Sequence, residues 1–172
     1  IVLNACGFLI TIVTVLVIPS QAVWFGILNF LGCAMMISYP LKEYLENIKP
    51  AVGAVCSLLL FAFLYGVPDG YVGFFGAELF HLPEFLYGIK ALAFIGFPSA
   101  DFHSTDYFPI IPWIFLFIFG YFTWRVIKSC KADSFFKRRI PFFDFIGRHT
   151  LIIYLLHQPI IMGILEIIVI LL

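Results

Sequence analysis

Charged side chains are scarce in this sequence of 172 residues. Asp, Glu, Lys and Arg make up 12% of it, against about 25% in an average soluble domain, whereas 63% of the residues are hydrophobic. So few charges cannot coat a soluble globule of this size. Ten basic residues are balanced by ten acidic ones, so the chain lacks the basic excess that binding to nucleic acid requires. The composition therefore excludes a soluble enzyme, a disordered segment and a nucleic-acid binder.

Common catalytic and metal-binding motifs are also missing from the sequence. The four cysteines form neither a Cys-x-x-Cys pair nor a Cys/His set at zinc spacing. We therefore expect no metal site and no disulfide framework. The phosphate-binding loop, the serine-hydrolase elbow and the zinc-protease signature are absent too.

Long apolar runs dominate what is present, and a helix needs about 20 apolar residues to cross a bilayer. Four runs carry no charge and a fifth carries one: 1–21, 22–41, 50–68, 107–124 and 150–172. Residues 71–106 are aromatic and glycine-rich but charged, which favours an interfacial or re-entrant segment that is partly helical. The predicted fold is an all-α, polytopic transmembrane bundle of about five spans, with this segment between spans three and four.

The distribution of basic residues predicts the orientation of the spans. Nine of the ten lie in two stretches, 42–49 and 125–148. Cytoplasmic loops are enriched in Lys and Arg, and five crossings place both stretches on the same side. We therefore predict a multi-pass protein of the cell membrane with a cytoplasmic N-terminus and an outside C-terminus. A signal peptide over the first run is disfavoured, because no basic segment precedes it and four more spans follow.

Polar residues lie inside the first two predicted spans. Asn4, Gly7, Thr11 and Thr14 lie on one stripe of the first span. Small and hydroxyl residues let helices approach closely in lipid, so packing is the favoured interpretation and a pathway lining is the alternative. Asn29, in the second span, must face other helices. Its amide either hydrogen-bonds to these helices or contacts a substrate.

The fifth predicted span carries the most informative polar group. Tyr154, His157 and Gln158 share one face beside Pro159, which is predicted to kink the helix. A histidine at this depth is costly and commonly marks a function such as acid–base chemistry. The alternative is a neutral imidazole that is hydrogen-bonded to a helix carbonyl.

A second polar cluster precedes the fourth predicted span. Asp101, His103 and Asp106 lie within six residues on the side where a polar substrate would arrive. Two carboxylates and an imidazole are suited to general acid–base work. The alternative is that Asp106 caps the N-terminus of the fourth span.

Four stretches of the chain resemble one family, the heparan-alpha-glucosaminide N-acetyltransferase catalytic domain. They are GFLITIVT (7–14), WFGILNFLG (24–32), STDYFPIIPW (104–113) and IGRHTLIIYLLHQP (146–159), and they occur in family order. Relatives begin with further spans that carry a histidine thought to handle the acetyl group, and many have a histidine where this chain has Asn29. We therefore expect residues 1–172 to form a single transmembrane domain, the C-terminal part of a larger membrane domain.

The resemblance implies a multispanning acyltransferase that uses acetyl-CoA as co-substrate. Such an enzyme acetylates an amine or hydroxyl of a sugar on the far side of the membrane. On this basis we expect His157 and Asp106 to shape or polarise the acceptor site and Arg148 to stabilise the cytosolic entrance of the site or a phosphate of CoA. We expect Asn29, His103 and Gln158 to contact the acceptor.

The expected partners are the lipid bilayer and a sugar-type acceptor. Because five spans enclose too little space for CoA, upstream helices or a second copy in a homo-oligomer are expected to complete the bundle. Two other function classes compete with the enzyme: a transporter and a non-catalytic membrane subunit. Many transporters contain internal repeats, and the sequence shows none.

Overall fold

The computed structural model describes residues 1–74, 77–130 and 141–171, without the side chains of residues 158, 159, 162, 165, 166 and 169–171. Four of the basic residues used for orientation, Lys131, Lys137, Arg138 and Arg139, lie outside the described part. The chain divides into two compact units, Ile1–Ile127 and Lys128–Leu172, and each is described by itself.

Helices make up most of the described chain. In chain order the elements are α1 (Val2–Val17), α2 (Ile27–Asn47), α3 (Pro50–Leu64), strands β1 (Tyr71–Phe74) and β2 (Ala77–His81), α4 (Ile110–Ser129) and α5 (Pro141–Leu171). Short 3-10 turns occupy Pro19–Gln21, Val67–Asp69, Glu84–Gly88 and Lys90–Phe94.

Two described helical segments are long and apolar enough to cross a membrane. They are Pro50–Asp69 and Ile110–Ser129, with 20 residues each. At about 1.5 Å per residue such a segment is about 30 Å long, which matches the hydrocarbon thickness of a bilayer. Helix α1 is equally apolar but has 16 residues. The count of five spans stays a prediction.

Helices α1 and α2 form an antiparallel pair built on two Asn-x-x-Gly motifs. A Cβ on Gly7 would lie 2.2 Å from Asn29 Oδ1, and a Cβ on Gly32 would lie 2.0 Å from Asn4 Oδ1. Each glycine therefore makes room for the amide of the opposite helix, and the polar stripe of the first predicted span packs on α2. We call these four residues the Asn/Gly pair.

Helix α4 packs between α2 and α3. Phe30 and Ala34 of α2 form a buried cluster with Ile114 of α4. On the other side, the Phe122 ring fills the space that the missing side chain of Gly53 leaves open. The rings of Phe61 (α3) and Trp113 (α4) lie 5.5 Å apart, so α3 and α4 are antiparallel.

The all-α prediction is wrong for the segment between α3 and α4, which contains an antiparallel β-hairpin. Gly70 (φ 94°) turns the chain into β1, and β1 pairs with β2. Gly73 is required there, because a Cβ on it would lie 1.9 Å from the Ala77 carbonyl oxygen. Two 3-10 turns follow the hairpin, so the segment is helical only in part.

Helix bounds also differ from the predicted spans. Helix α2 starts at Ile27 rather than at residue 22 and continues through Pro40 to Asn47. Helix α5 starts at Pro141, where the missing N–H of proline costs no hydrogen bond, nine residues before the predicted span. Its secondary structure runs without a break through Pro159.

Candidate functional site

Residues 104–108 run parallel to residues 22–27 and hold them in place, and we call this arrangement the loop clasp. The Thr105 N–H donates to the Ala22 carbonyl at 3.3 Å, and the Phe108 N–H donates to the Phe25 carbonyl at 3.2 Å. Ser104 Oγ accepts the Trp24 N–H at 2.9 Å. Because these bonds hold the chain in a non-helical path, α2 cannot start at residue 22.

Asp106 is the charged member of the loop clasp. Its Oδ2 accepts the N–H of Ile27, the first residue of α2, at 3.1 Å. Gly26 allows this approach, since a Cβ there would lie 2.6 Å from the same oxygen. A carboxylate at a helix N-terminus satisfies an open N–H and complements the helix dipole. Asp106 therefore caps α2, whereas the sequence pattern had suggested the helix that follows it.

Arg125 of α4 binds the opposite end of α2. Its guanidinium donates to the carbonyls of Leu45, Glu46 and Ile48 at 2.8, 3.0 and 3.2 Å. A cation at a helix C-terminus satisfies open carbonyls and complements the dipole. Asp106 and Arg125 thus place opposite charges at the two ends of α2, and we call them the charge clamp. The clamp requires α2 and α4 to be parallel.

Replacing Arg125 with glutamine is expected to lower the free energy of unfolding by about 2–3 kcal/mol, because hydrogen bonds from a charged group to helix carbonyls are lost. Denaturation in mixed detergent micelles measures the change. The matched control is Arg148→Gln, whose exposed partner at i−4 is worth about 0.5 kcal/mol or less. Equal stabilities of the two variants would show that the bonds of Arg125 to α2 contribute nothing to stability.

The predicted acceptor residues of the first unit do not converge on one pocket. His103 and Asp101 are exposed beside the loop clasp. Asn29 is only 4% exposed and faces Gly7 of α1. Its Oδ1 has no hydrogen-bond partner in the described part of the chain. This position favours helix packing over contact with a substrate.

Tyr107 is a residue of this region that sequence reasoning missed. Its hydroxyl donates to the Ala93 carbonyl, and its ring lies 4.9 Å from that of Phe102. Burial, and secondarily the neighbouring Tyr87, raise the pKa of Tyr107 far above its usual range. The phenol therefore stays protonated and keeps its bond to the 3-10 turn at Lys90–Phe94. The position of Tyr107 directly after Asp106 is the one sequence feature that could have drawn attention to it.

His157 lies on α5, in the second unit. Its Nδ1 hydrogen-bonds the Tyr154 carbonyl, and the two rings lie 5.1 Å apart. Because a carbonyl only accepts, Nδ1 carries the proton of the neutral ring and Nε2 is the acceptor nitrogen. The imidazole is exposed in this unit. The side chain of Gln158 lies outside the described part.

Arg148 pairs with an acid of its own helix. Its Nη2 lies 3.0 Å from Asp144 Oδ2, one turn back, and both groups are exposed. His149, the next residue, bonds the Phe145 carbonyl at 2.9 Å. Arg148 is therefore oriented by Asp144, in an exposed position where an anion can reach it.

Two crevices among the described residues of the first unit are unsuited to the phosphates of CoA. A groove of about 390 Å³ is lined by Ile1, Leu3, Gly32, Met35, Met36 and Tyr39, none of which has a basic side chain. A smaller crevice of about 50 Å³ includes Lys42 but is too small for a nucleotide. Within the described residues, no three His, Cys, Asp or Glu side chains are grouped as metal ligands.

The comparison with known families decides the assignment. The family described as heparan-alpha-glucosaminide N-acetyltransferase, catalytic, matches residues 1–159. The chain belongs to this family. The match covers the loop clasp, the charge clamp, Arg148 and His157, and membership of this family indicates an acetyltransferase-like activity for the chain. No curated protein and no solved structure matches the chain.

Proposed function

We propose that this protein transfers an acetyl group from acetyl-CoA to an amine or hydroxyl of a sugar on the opposite side of the cell membrane. The observation that carries the proposal is the family match over residues 1–159, which includes every residue with a proposed role.

The distribution of apolar side chains supports a position in lipid. On α1 the buried residue is Gly7, whereas Phe8, Ile12 and Leu16 are more than half exposed. Polar contacts inside and apolar surface outside suit helices that face acyl chains. In water the same surface would be an aggregation hazard.

The charge clamp supports the proposed orientation. Because α2 and α4 are parallel, the cations at their C-terminal ends, Lys42, Lys49 and Arg125, lie at one end of the first unit. Basic residues favour the cytoplasmic side, where acetyl-CoA is made available. His103 and the loop clasp then face outside, where the acceptor arrives. The N-terminus is cytoplasmic and the C-terminus outside.

The chemical step joins an acceptor nucleophile to a thioester. The amine or hydroxyl attacks the acetyl carbonyl carbon, its N–C or O–C bond forms, and the C–S bond breaks. The nucleophile loses one proton, and the CoA sulfur leaves as a thiolate that takes up a proton. His157 Nε2 is the group we assign to accept the proton of the nucleophile.

The other assigned residues bind rather than react. Arg148 attracts a phosphate of acetyl-CoA, and Asp106 shapes the acceptor side by fixing the loop clasp. His103 and Gln158 contact the acceptor. Asn29 serves the acceptor side indirectly, because it holds α1 against α2.

The test uses the full-length protein reconstituted in liposomes. We expect label from [acetyl-14C]acetyl-CoA, supplied on the cytoplasmic face, to appear on an amino sugar enclosed on the other face. The matched control acceptor is the same amino sugar with its amine already acetylated. It retains only hydroxyl groups as acceptors, so label on it would show transfer to a hydroxyl rather than to an amine. Flux of the sugar without acetyl-CoA, and no labelled product, would contradict the proposal and favour the transporter.

A further inference from the structure

The β-hairpin carries large apolar side chains that stay exposed in the described part of the first unit. Phe80 is 68% exposed, and every described residue of β2 is exposed. Five large apolar side chains of the hairpin and of the turn that follows it are exposed, and we call them the apolar rim: Phe74, Leu79, Phe80, Phe85 and Ile89. Several large apolar side chains left exposed within one short segment indicate an interaction.

The strand register helps to build the apolar rim. Val72 pairs with Phe80 and Gly73 pairs with Glu78, so Leu79 is an extra residue in β2. A bulge of this kind re-aims side chains and breaks the strict alternation of faces. Leu79 and Phe80 are both exposed, as is the rest of β2, so neither face of this strand is covered by the described part of the chain.

The apolar rim continues the outer surface of α3. Val52, Val55 and Leu59 are exposed on α3, and Phe63 follows one turn after Leu59. The Phe63 ring lies 5.4 Å from that of Phe74 in β1. The exposed face of α3 is therefore continuous with the hairpin, so a medium that covers this face also contacts the hairpin. Helix α3 belongs to the segment Pro50–Asp69, which is long and apolar enough to cross a membrane.

The position and charge of the hairpin indicate its depth. It starts two residues after the apolar segment Pro50–Asp69 ends, which is the level of the lipid headgroups. Aromatic side chains concentrate at that level. The segment from residue 69 to residue 106 has five acidic residues and one lysine. Because this excess of negative charge repels anionic headgroups, zwitterionic lipid is the partner that its charge favours.

We propose that the apolar rim is seated in the headgroup region of the outer leaflet, against zwitterionic lipid. This rests on the membrane crossing of the proposed function and does not depend on the acetyl transfer. The hairpin is then a surface anchor that keeps the loop clasp at the membrane surface.

The test is fluorescence quenching by brominated phosphatidylcholine in nanodiscs that hold one protein copy each. Tryptophan is introduced by Phe80→Trp, by Asp101→Trp as an exposed control in the same segment, and by Leu59→Trp on α3. The signal of the native tryptophans is subtracted. We expect lipid brominated near the glycerol to quench the Phe80→Trp signal several-fold more than the Asp101→Trp signal.

The controls separate the two proposals. Quenching of Leu59→Trp by bromines near the chain ends supports the membrane crossing, and its absence contradicts the crossing itself. If Leu59→Trp is quenched and Phe80→Trp is not, only the surface anchor is wrong. Stronger quenching of Phe80→Trp by the deep bromines would also overturn it, in favour of a re-entrant segment. Phe85→Trp repeats the measurement if Phe80→Trp does not fold.

Discussion

Replacing His157 with asparagine is expected to lower the rate of acetyl transfer by about 100-fold or more, the usual contribution of a general base. Asparagine can still donate a hydrogen bond from the position of Nδ1 to the Tyr154 carbonyl. It offers no basic nitrogen in the position of Nε2. The variant therefore removes the proposed proton acceptor while it keeps the local bond, and initial rates with labelled acetyl-CoA measure the effect.

The matched control for this prediction is His149→Asn. His149 lies on the same helix and bonds the Phe145 carbonyl one turn back, so the substitution makes the same local change. We expect this variant to retain most of the activity and both variants to elute as folded protein in size-exclusion chromatography. Full activity of His157→Asn would remove His157 from the mechanism.

Replacing both glycines of the Asn/Gly pair with alanine is expected to lower the free energy of unfolding by about 4 kcal/mol, about 2 kcal/mol for each overpacked site. A Cβ on Gly7 or Gly32 would lie within 2.2 Å of the amide oxygen of Asn29 or Asn4. Both glycines are buried, so the helices must separate or the amides must leave their places. Unfolding in mixed detergent micelles gives the value.

Two further variants decide whether the contact itself is responsible. Gly120→Ala is the control, because a Cβ at that position of α4 meets nothing within 4 Å. It is expected to be neutral or slightly stabilising. Adding Asn29→Ala to Gly7→Ala removes the clashing atoms and should recover about 1–2 kcal/mol. If the stability loss of the Gly7→Ala/Asn29→Ala variant equals the sum of the losses of its two single variants, the proposed contact between Gly7 and Asn29 is contradicted.

The sequence predicted the helices well and the segment between α3 and α4 poorly. Charge-free runs reveal apolar helices because each residue contributes to the same signal. The hairpin depends on Gly70, Gly73 and the contact of Phe74 with Phe63, which are local backbone and long-range effects. Periodicity does not report such contacts.

The sequence singled out several residues of the candidate site, but it could not indicate which groups they contact in the fold. Asp106 was recognised as a cap, yet the helix that it caps starts 79 residues earlier in the chain. Arg125 was counted as an orienting charge, and its bonds to α2 could not be foreseen, because backbone carbonyls leave no mark in a sequence. The Nδ1 bond of His157 follows from helix geometry and was one of the two interpretations considered.

Cysteine labelling in intact cells tests most directly whether α2 and α4 cross the membrane in the same direction. The native cysteines are replaced by serine, and single cysteines are introduced by Lys49→Cys, Lys128→Cys and Asp101→Cys. An impermeant maleimide is expected to label Asp101→Cys from outside and to reach the other two only after the membrane is opened. Labelling of Lys49→Cys and Lys128→Cys from opposite faces would contradict the parallel arrangement and the site assignments built on it.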